Sequence, residues 1–265
     1  MDMNRKIQIC HLFPDALNLY GDRGNVLCMQ KRLEWRGIDC EVTSLHLGEH
    51  LDLTRFDLFF MGGGQDFDQE VLLQDLQGKG GREIKAAIED GLPFLCICGG
   101  YQILGTHYEM QDGTKCEFLG AIDLYTVGGK KRLIGNYAYR LHKEQDLSGR
   151  TDEKPETDNR KSDKQYIVVG FENHSGRTYL GKGVRPLGTV LTGYGNNGTD
   201  HTEGVHERNV YGTYSHGPVL PKNPIFCDMI LQCALKRKYG DNNLPPLDDT
   251  FETMAHDQVL KMIRG

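Results

Sequence analysis

The stretch Pro93-Phe-Leu-Cys-Ile-Cys-Gly-Gly-Tyr-Gln-Ile-Leu-Gly105 constrains this chain more than any other. Pro93 to Ile97 is an apolar run of strand length, stopped by Cys98 and two glycines. Tyr101-Gln-Ile-Leu then carries the spacing of a helix with one buried face. Strand, sharp turn and helix make a nucleophile elbow. The reactive side chain of such an elbow sits at a strained turn, for which the following glycines make room. A sulfur there faces the free amides of the next helix, which favour thiolate over thiol. The plainer alternative is a buried cysteine closing a core strand.

The surroundings of this elbow read as alternating strands and helices. Lys6–Leu12, Cys40–Leu45 and Asp57–Met61 have strand character, with a helix over Val26–Arg36 whose apolar positions are Val26, Met29, Leu33 and Trp35. A helix over Asp66–Asp90, divided at Gly78-Lys-Gly-Gly81, leads to the strand before Cys98. The expectation is an α/β fold: a mostly parallel central sheet flanked by helices, with ligands bound beyond the strand C-termini. After about Glu109 the second half turns β-rich, with strands over Lys115–Tyr125, Leu133–His142, Tyr166–Phe171, Gly188–Leu191 and Asn209–Tyr214. Residues 143–165 read as a charged surface loop and 222–265 as two C-terminal helices, all within one domain spanning 1–265.

A thiolate nucleophile needs a base and donors for the oxyanion of its tetrahedral intermediate. The Gly99 amide, next after the nucleophile, is the natural first donor; the turn Gly62-Gly-Gly64 can offer a second from Gly63 or Gly64. Among ten histidines, His216 is the best placed, just past a strand in Gly212-Thr-Tyr-Ser-His-Gly217. His174, in Gly170-Phe-Glu-Asn-His-Ser-Gly176, is the rival. Eight cysteines without a paired C-x-x-C framework suggest reduced, mostly structural thiols and no metal site. A net charge of −6 argues against a nucleic-acid partner. No apolar run approaches the ~20 residues that span a bilayer, and the N-terminus lacks a signal-peptide core, so a cytoplasmic protein is expected.

Cys96-Ile-Cys-Gly-Gly-Tyr-Gln102 resembles the nucleophile motif of class I (triad) glutamine amidotransferases, flavodoxin-like enzymes, in the cobyric acid synthase-like branch. Gly212-Thr-Tyr-Ser-His-Gly217 and Gly170-Phe-Glu-Asn-His-Ser-Gly176 are similar to further segments of that branch. Leu19-Tyr-Gly-Asp-Arg-Gly-Asn25, Gly62-Gly-Gly-Gln-Asp66 and Lys131-Arg-Leu-Ile-Gly-Asn136 narrow the resemblance to the glutaminase subunits (GatD-type) of lipid II isoglutaminyl synthase.

That resemblance implies Cys98 as nucleophile, His216 as general base and Arg132 as the residue binding L-glutamine. It implies ammonia delivery to a Mur-ligase-like (MurT-type) synthetase in a heterodimer. That partner would carry ATP and Mg²⁺ and amidate the D-glutamate of the lipid II stem peptide, leaving no cofactor in this chain. Rival readings are an amidotransferase for a corrinoid carboxylate, a deglycase-like cysteine protein, and a non-catalytic scaffold. Two positions depart from the family pattern. Cys96 stands where many relatives have glycine, and Pro218 stands where triad enzymes usually have glutamate. A carboxylate donated by the partner is therefore expected to orient His216, with Asp15, Asp22 and Glu172 as alternatives within the chain.

Overall fold

The computed structural model describes residues 5–50, 52–64, 72, 76–142 and 166–265. The charged stretch 143–165, Gln65, Asp66 and most of the first half of the helix expected from Asp66 lie outside them.

The first half builds one sheet from β1 (Lys6–Leu12), β2 (Asp39–Leu45), β3 (Leu58–Met61) and β4 (Phe94–Ile97). Between these run α1 (Arg23–Glu34) and α2 (Lys79–Glu89), and α3 (Gly99–Ile103) follows β4. β5 (His107–Glu109), β6 (Lys115–Glu117), β7 (Leu124–Leu141), β8 (Ile167–Leu180), β9 (Gly188–Thr192) and β10 (Thr202–Glu203) form a second sheet. β11 (Val205–Glu207) and β12 (Val210–Thr213) return to the first sheet, and α4 (Pro224–Tyr239) and α5 (Thr250–Arg264) end the chain.

The first sheet has the order β11-β12-β4-β3-β1-β2, parallel except where β11 joins β12. β3 and β4 are buried at every residue, as continuous apolar runs in a sheet covered on both faces require. The C-terminal ends of β1, β3, β4 and β12 share one edge. There the chain leaves them as the loop to Asp22, the triglycine turn, Cys98 and the segment to His216.

Several elements depart from the sequence reading, each for a local reason. Trp35 is 61% exposed at the end of α1, and Arg32 takes the buried face instead. The division expected at Gly78-Lys-Gly-Gly81 falls at Gly78, which caps α2, and Gly80 and Gly81 lie inside that helix; a side chain on Gly81 would collide with the Leu76 carbonyl, so the glycine serves close packing. Gly120, at φ 56°, interrupts the strand expected over Lys115–Tyr125. The glycine pair at 128–129 does not end a strand: β7 runs straight through 18 residues, with a bulge between Gly128 and Leu133. β8 likewise continues to Leu180, which places His174 within the strand.

Arg32 is 2% exposed and joins α1 to the C-terminal helices. Its Nε and Nη2 donate to Asp228 at 2.8 Å each, and Nη1 donates to Asp249 at 2.5 Å. Burial disfavours the charge, but the two aspartates raise its pKa above the ordinary arginine value. Removing one member of such a cluster strands the others. Because both carboxylates keep some solvent and Arg36 still reaches Asp228, Arg32→Met should cost about 2 kcal/mol, less than for a fully buried pair. Urea denaturation measures it.

Candidate active site

Cys98 occupies the turn between β4 and α3 at φ 47°, ψ −105°, a left-handed backbone that a side chain rarely adopts. Gly100 makes the turn possible. Its N–H donates to the Gly62 carbonyl at 3.1 Å, and a β-carbon there would lie 2.7 Å from that same oxygen. The Cys98 amide is held by the Thr213 carbonyl at 2.8 Å, which locks the elbow to β12. Cys98 is 7% exposed. Cys96 lies fully buried in β4, where desolvation pushes its thiol well above the ordinary value. It is core packing, and Cys98 alone of the two stands at the turn.

His216 follows β12 and is pinned to β8: its N–H donates to the Phe171 carbonyl at 2.8 Å, and Phe171 N–H returns the bond at 3.4 Å. Gly170 leaves room for this crossing, since a side chain there would collide with Ser215. One point in the triglycine turn, where a Gly63 side chain would begin, lies 2.6 Å from His216 Cε1, 3.2 Å from Asp22 Oδ2 and 3.4 Å from Cys98 Cβ. The nucleophile and histidine of the sequence reading thus converge, and a third group converges with them.

That group is Asp22, a fully buried carboxylate. His216 Nδ1 faces its Oδ2 at 3.3 Å and Oδ1 at 3.4 Å. Nε2 of His216 has no oxygen or nitrogen partner among the described residues and is the nitrogen left for the Cys98 sulfur. Burial works against charge on the ring, but the Cys98 sulfur and the Asp22 carboxylate outweigh it and raise the pKa to about 10. The sequence reading expected a carboxylate from the partner, with Asp15, Asp22 and Glu172 as alternatives within the chain; of these, Asp22 stands at Nδ1. Gly24 explains how. A side chain there would meet Pro218 Cγ at 2.5 Å, so glycine lets the first turn of α1 close onto the histidine segment. Leu220 N–H also donates to Asn25 Oδ1 at 2.9 Å, fastening the same contact.

The other candidate carboxylates point elsewhere. Asp15 pairs with His46 at the surface. Glu172 accepts from the N–H groups of Tyr194 and Gly195 at 2.8 and 2.9 Å, and lies 3.8 Å from His174 Nε2. His174, the rival base, stacks on Tyr214 at 3.6 Å between ring centres, and burial lowers its pKa despite Glu172. Glu203 was missed entirely, having no motif to announce it. It accepts from the Thr213 hydroxyl at 2.6 Å, Tyr214 N–H at 2.8 Å and Tyr137 hydroxyl at 3.0 Å, clamping the residues just before His216. Burial pushes its carboxyl up to about 7.

The expected oxyanion donors divide. Gly99 N–H sits at a helix start, where backbone donors lack helical acceptors. Gly63 does not fit the expectation: its N–H donates to Asp22 Oδ2 at 2.8 Å and is already engaged. Gly64 is the member of that turn left for the role. Arg132 sits in the β7 bulge, where residues 129–132 oppose only Ser175. It is exposed, with Nε on Asn173 Oδ1 at 2.6 Å and Nη2 on the Asn173 carbonyl at 2.9 Å. Among the described residues no three His, Cys, Asp or Glu side chains gather to hold a metal ion, and no helix is long and apolar enough to cross a membrane.

The chain is 41% identical over 255 residues to the lipid II isoglutaminyl synthase (glutamine-hydrolyzing) subunit GatD of Staphylococcus aureus, covering 96% of this chain and 95% of that one. It is 37% identical to the subunit of the same name from Streptococcus pneumoniae, covering 92% and 86%. A cobyric acid synthase of Pelotomaculum thermopropionicum is 32% identical over 61% of this chain but only 29% of its own length. Among solved structures, PurLQS from Thermotoga maritima shares the fold with a TM-score of 0.51 at 20% identity, covering 80% of this chain and 87% of that one. The CobB/CobQ-like glutamine amidotransferase domain matches residues 8–224, a span that takes in the elbow, the triglycine turn, Arg132 and His216. This chain therefore belongs to the CobB/CobQ-like glutamine amidotransferase family and is a glutamine-hydrolysing enzyme.

Proposed function

We propose that this chain is the glutaminase subunit of a lipid II isoglutaminyl synthase, working in the cytoplasm as a heterodimer with a Mur-ligase-like synthetase. The observation that carries the reading is end-to-end similarity to two GatD subunits, against a match to less than a third of a cobyric acid synthase. In this reading Cys98 thiolate attacks the side-chain amide carbon of glutamine, paired with protonated His216. The N–H groups of Gly99 and Gly64 receive the oxyanion. His216 gives its proton to the departing nitrogen, and ammonia leaves. His216 then takes a proton from water, which cleaves the thioester and releases glutamate. Asp22 holds the imidazole through Nδ1 and favours its charged form. On the partner, ATP with Mg²⁺ would activate the D-glutamate carboxylate for attack by the ammonia released here.

Arg132 is assigned to the α-carboxylate of glutamine, whose two oxygens match the guanidinium fork. A lysine keeps the charge but loses the fork. Arg132→Lys should raise KM for glutamine by about 10-fold with a smaller change in kcat, measured by glutamate release. The function as a whole is tested on the chain co-purified with its synthetase. Glutamine should support amidation of lipid II but not of a corrinoid carboxylate, and free ammonium should replace glutamine. Failure of ammonium to do so overturns the ammonia-donor role.

A further inference from the structure

Beyond the reacting groups, a continuous chain of side chains joins Arg132 to His216 through two residues that the mechanism leaves without a role. Arg132 spends Nε and one Nη2 hydrogen on Asn173, so that among the described residues its Nη1/Nη2 edge stays free for a bidentate carboxylate. Asn173 Nδ2 donates to the Tyr20 hydroxyl at 2.5 Å. The Tyr20 ring meets the His216 ring edge-on at 4.9 Å and leans on Phe171 at 6.0 Å. Phe171 belongs to the same strand as Asn173 and carries the backbone pairing that pins His216.

Tyr20 holds this position at a cost. Its backbone lies at φ 54°, ψ 25°, left-handed for a side chain with a β-carbon, directly before Gly21 at φ 75°. A strained tyrosine persists only where its surroundings over-determine it. Among the described residues these include a hydrogen bond from Asn173 and two ring contacts, one with the imidazole. Tyr20 is still 46% exposed, so core burial does not account for its placement.

We propose that Asn173 and Tyr20 are positioning residues that aim the Arg132 guanidinium and brace the His216 ring together, coupling capture of the glutamine carboxylate to the orientation of the imidazole. Asn173 is the hinge: its carbonyl oxygens fix the arginine and its amide fixes the tyrosine. The proposal rests on the assignment of Arg132 to glutamine binding, and the two can fail separately.

The test is a double-mutant cycle on the full chain in complex with its synthetase, following glutamate release. Tyr20→Phe removes only the hydroxyl and keeps the ring on His216. It should raise KM for glutamine about 5-fold while kcat changes less than about 2-fold. In an Arg132→Lys background the same substitution should have less than about a 2-fold effect, because the arginine it aims is gone. Asn173→Ser should reproduce the KM effect and serves should Tyr20→Phe fold poorly. Tyr20→Ala, which also removes the ring, should lower kcat and move the alkaline limb of the pH profile. Equal effects of Tyr20→Phe in both backgrounds overturn the coupling. An unchanged KM in Arg132→Lys alone overturns the glutamine-binding assignment beneath it.

Discussion

Cys98→Ser should abolish glutamine hydrolysis, by at least about 10⁴-fold, while amidation by the complex fed with free ammonium persists. The size follows from how the elbow works. A serine hydroxyl fits the same turn at φ 47° but is a far weaker nucleophile than a thiolate paired with imidazolium. The split between the two nitrogen sources matters more than the loss. A scaffold that had kept the fold without the chemistry would show no change with glutamine. A collapsed subunit would lose both activities, and thermal denaturation of the variant identifies that case. Cys96→Ala is the matching control: a core thiol two residues away, whose removal should leave hydrolysis within about 2-fold after correction for folded protein.

Asp22→Asn is the second large effect. It keeps the shape beside His216 Nδ1 and an oxygen for the Gly63 N–H, but removes the charge. Loss of the orienting carboxylate costs about 10²–10⁴-fold in enzymes that use one. The pH dependence carries the sign. Burial opposes charge on the imidazole, and Cys98 with Asp22 raises its pKa to about 10, so the protonated form that donates to the departing amide nitrogen persists well above neutrality. Without the Asp22 charge the ring loses its proton at lower pH. The alkaline limb of kcat/KM should therefore move toward neutral. The profile should be recorded for the chain alone and for the complex. A carboxylate supplied by the synthetase would leave the variant near parental activity in the complex; loss in both assigns the role to Asp22.

What the sequence disclosed depended on how local each signal is. The elbow was legible because strand, turn and helix occupy thirteen consecutive residues, and Gly100 is needed for a contact two residues from the sulfur. β1 was legible to the residue, being an apolar run with clear ends. Asp22 was one of three carboxylates that the sequence left open behind a partner-donated one. It lies 194 residues from the histidine it faces, and the usual place to look, two residues after His216, holds Pro218. The signal was present in another form: Gly24 follows Asp22, and that glycine is what Pro218 packs against. Gly63 misled for the opposite reason. A triglycine turn beside the nucleophile offers donors, but in the folded chain one of them is already bonded to a carboxylate 41 residues away in sequence. Trp35 shows the limit of hydrophobic spacing, since a buried arginine between two aspartates claimed the helix face instead.

All of this depends on one covalent event, and mass mapping can observe it. The complex is mixed with glutamine, quenched in acid within a turnover and digested. The expected result is a γ-glutamyl adduct on the peptide containing Cys98, accumulating further where deacylation is slowed in Asp22→Asn and absent from Cys98→Ser. Glutamate release that continues at the parental rate in Cys98→Ser, or an adduct found on Cys96 instead, contradicts it.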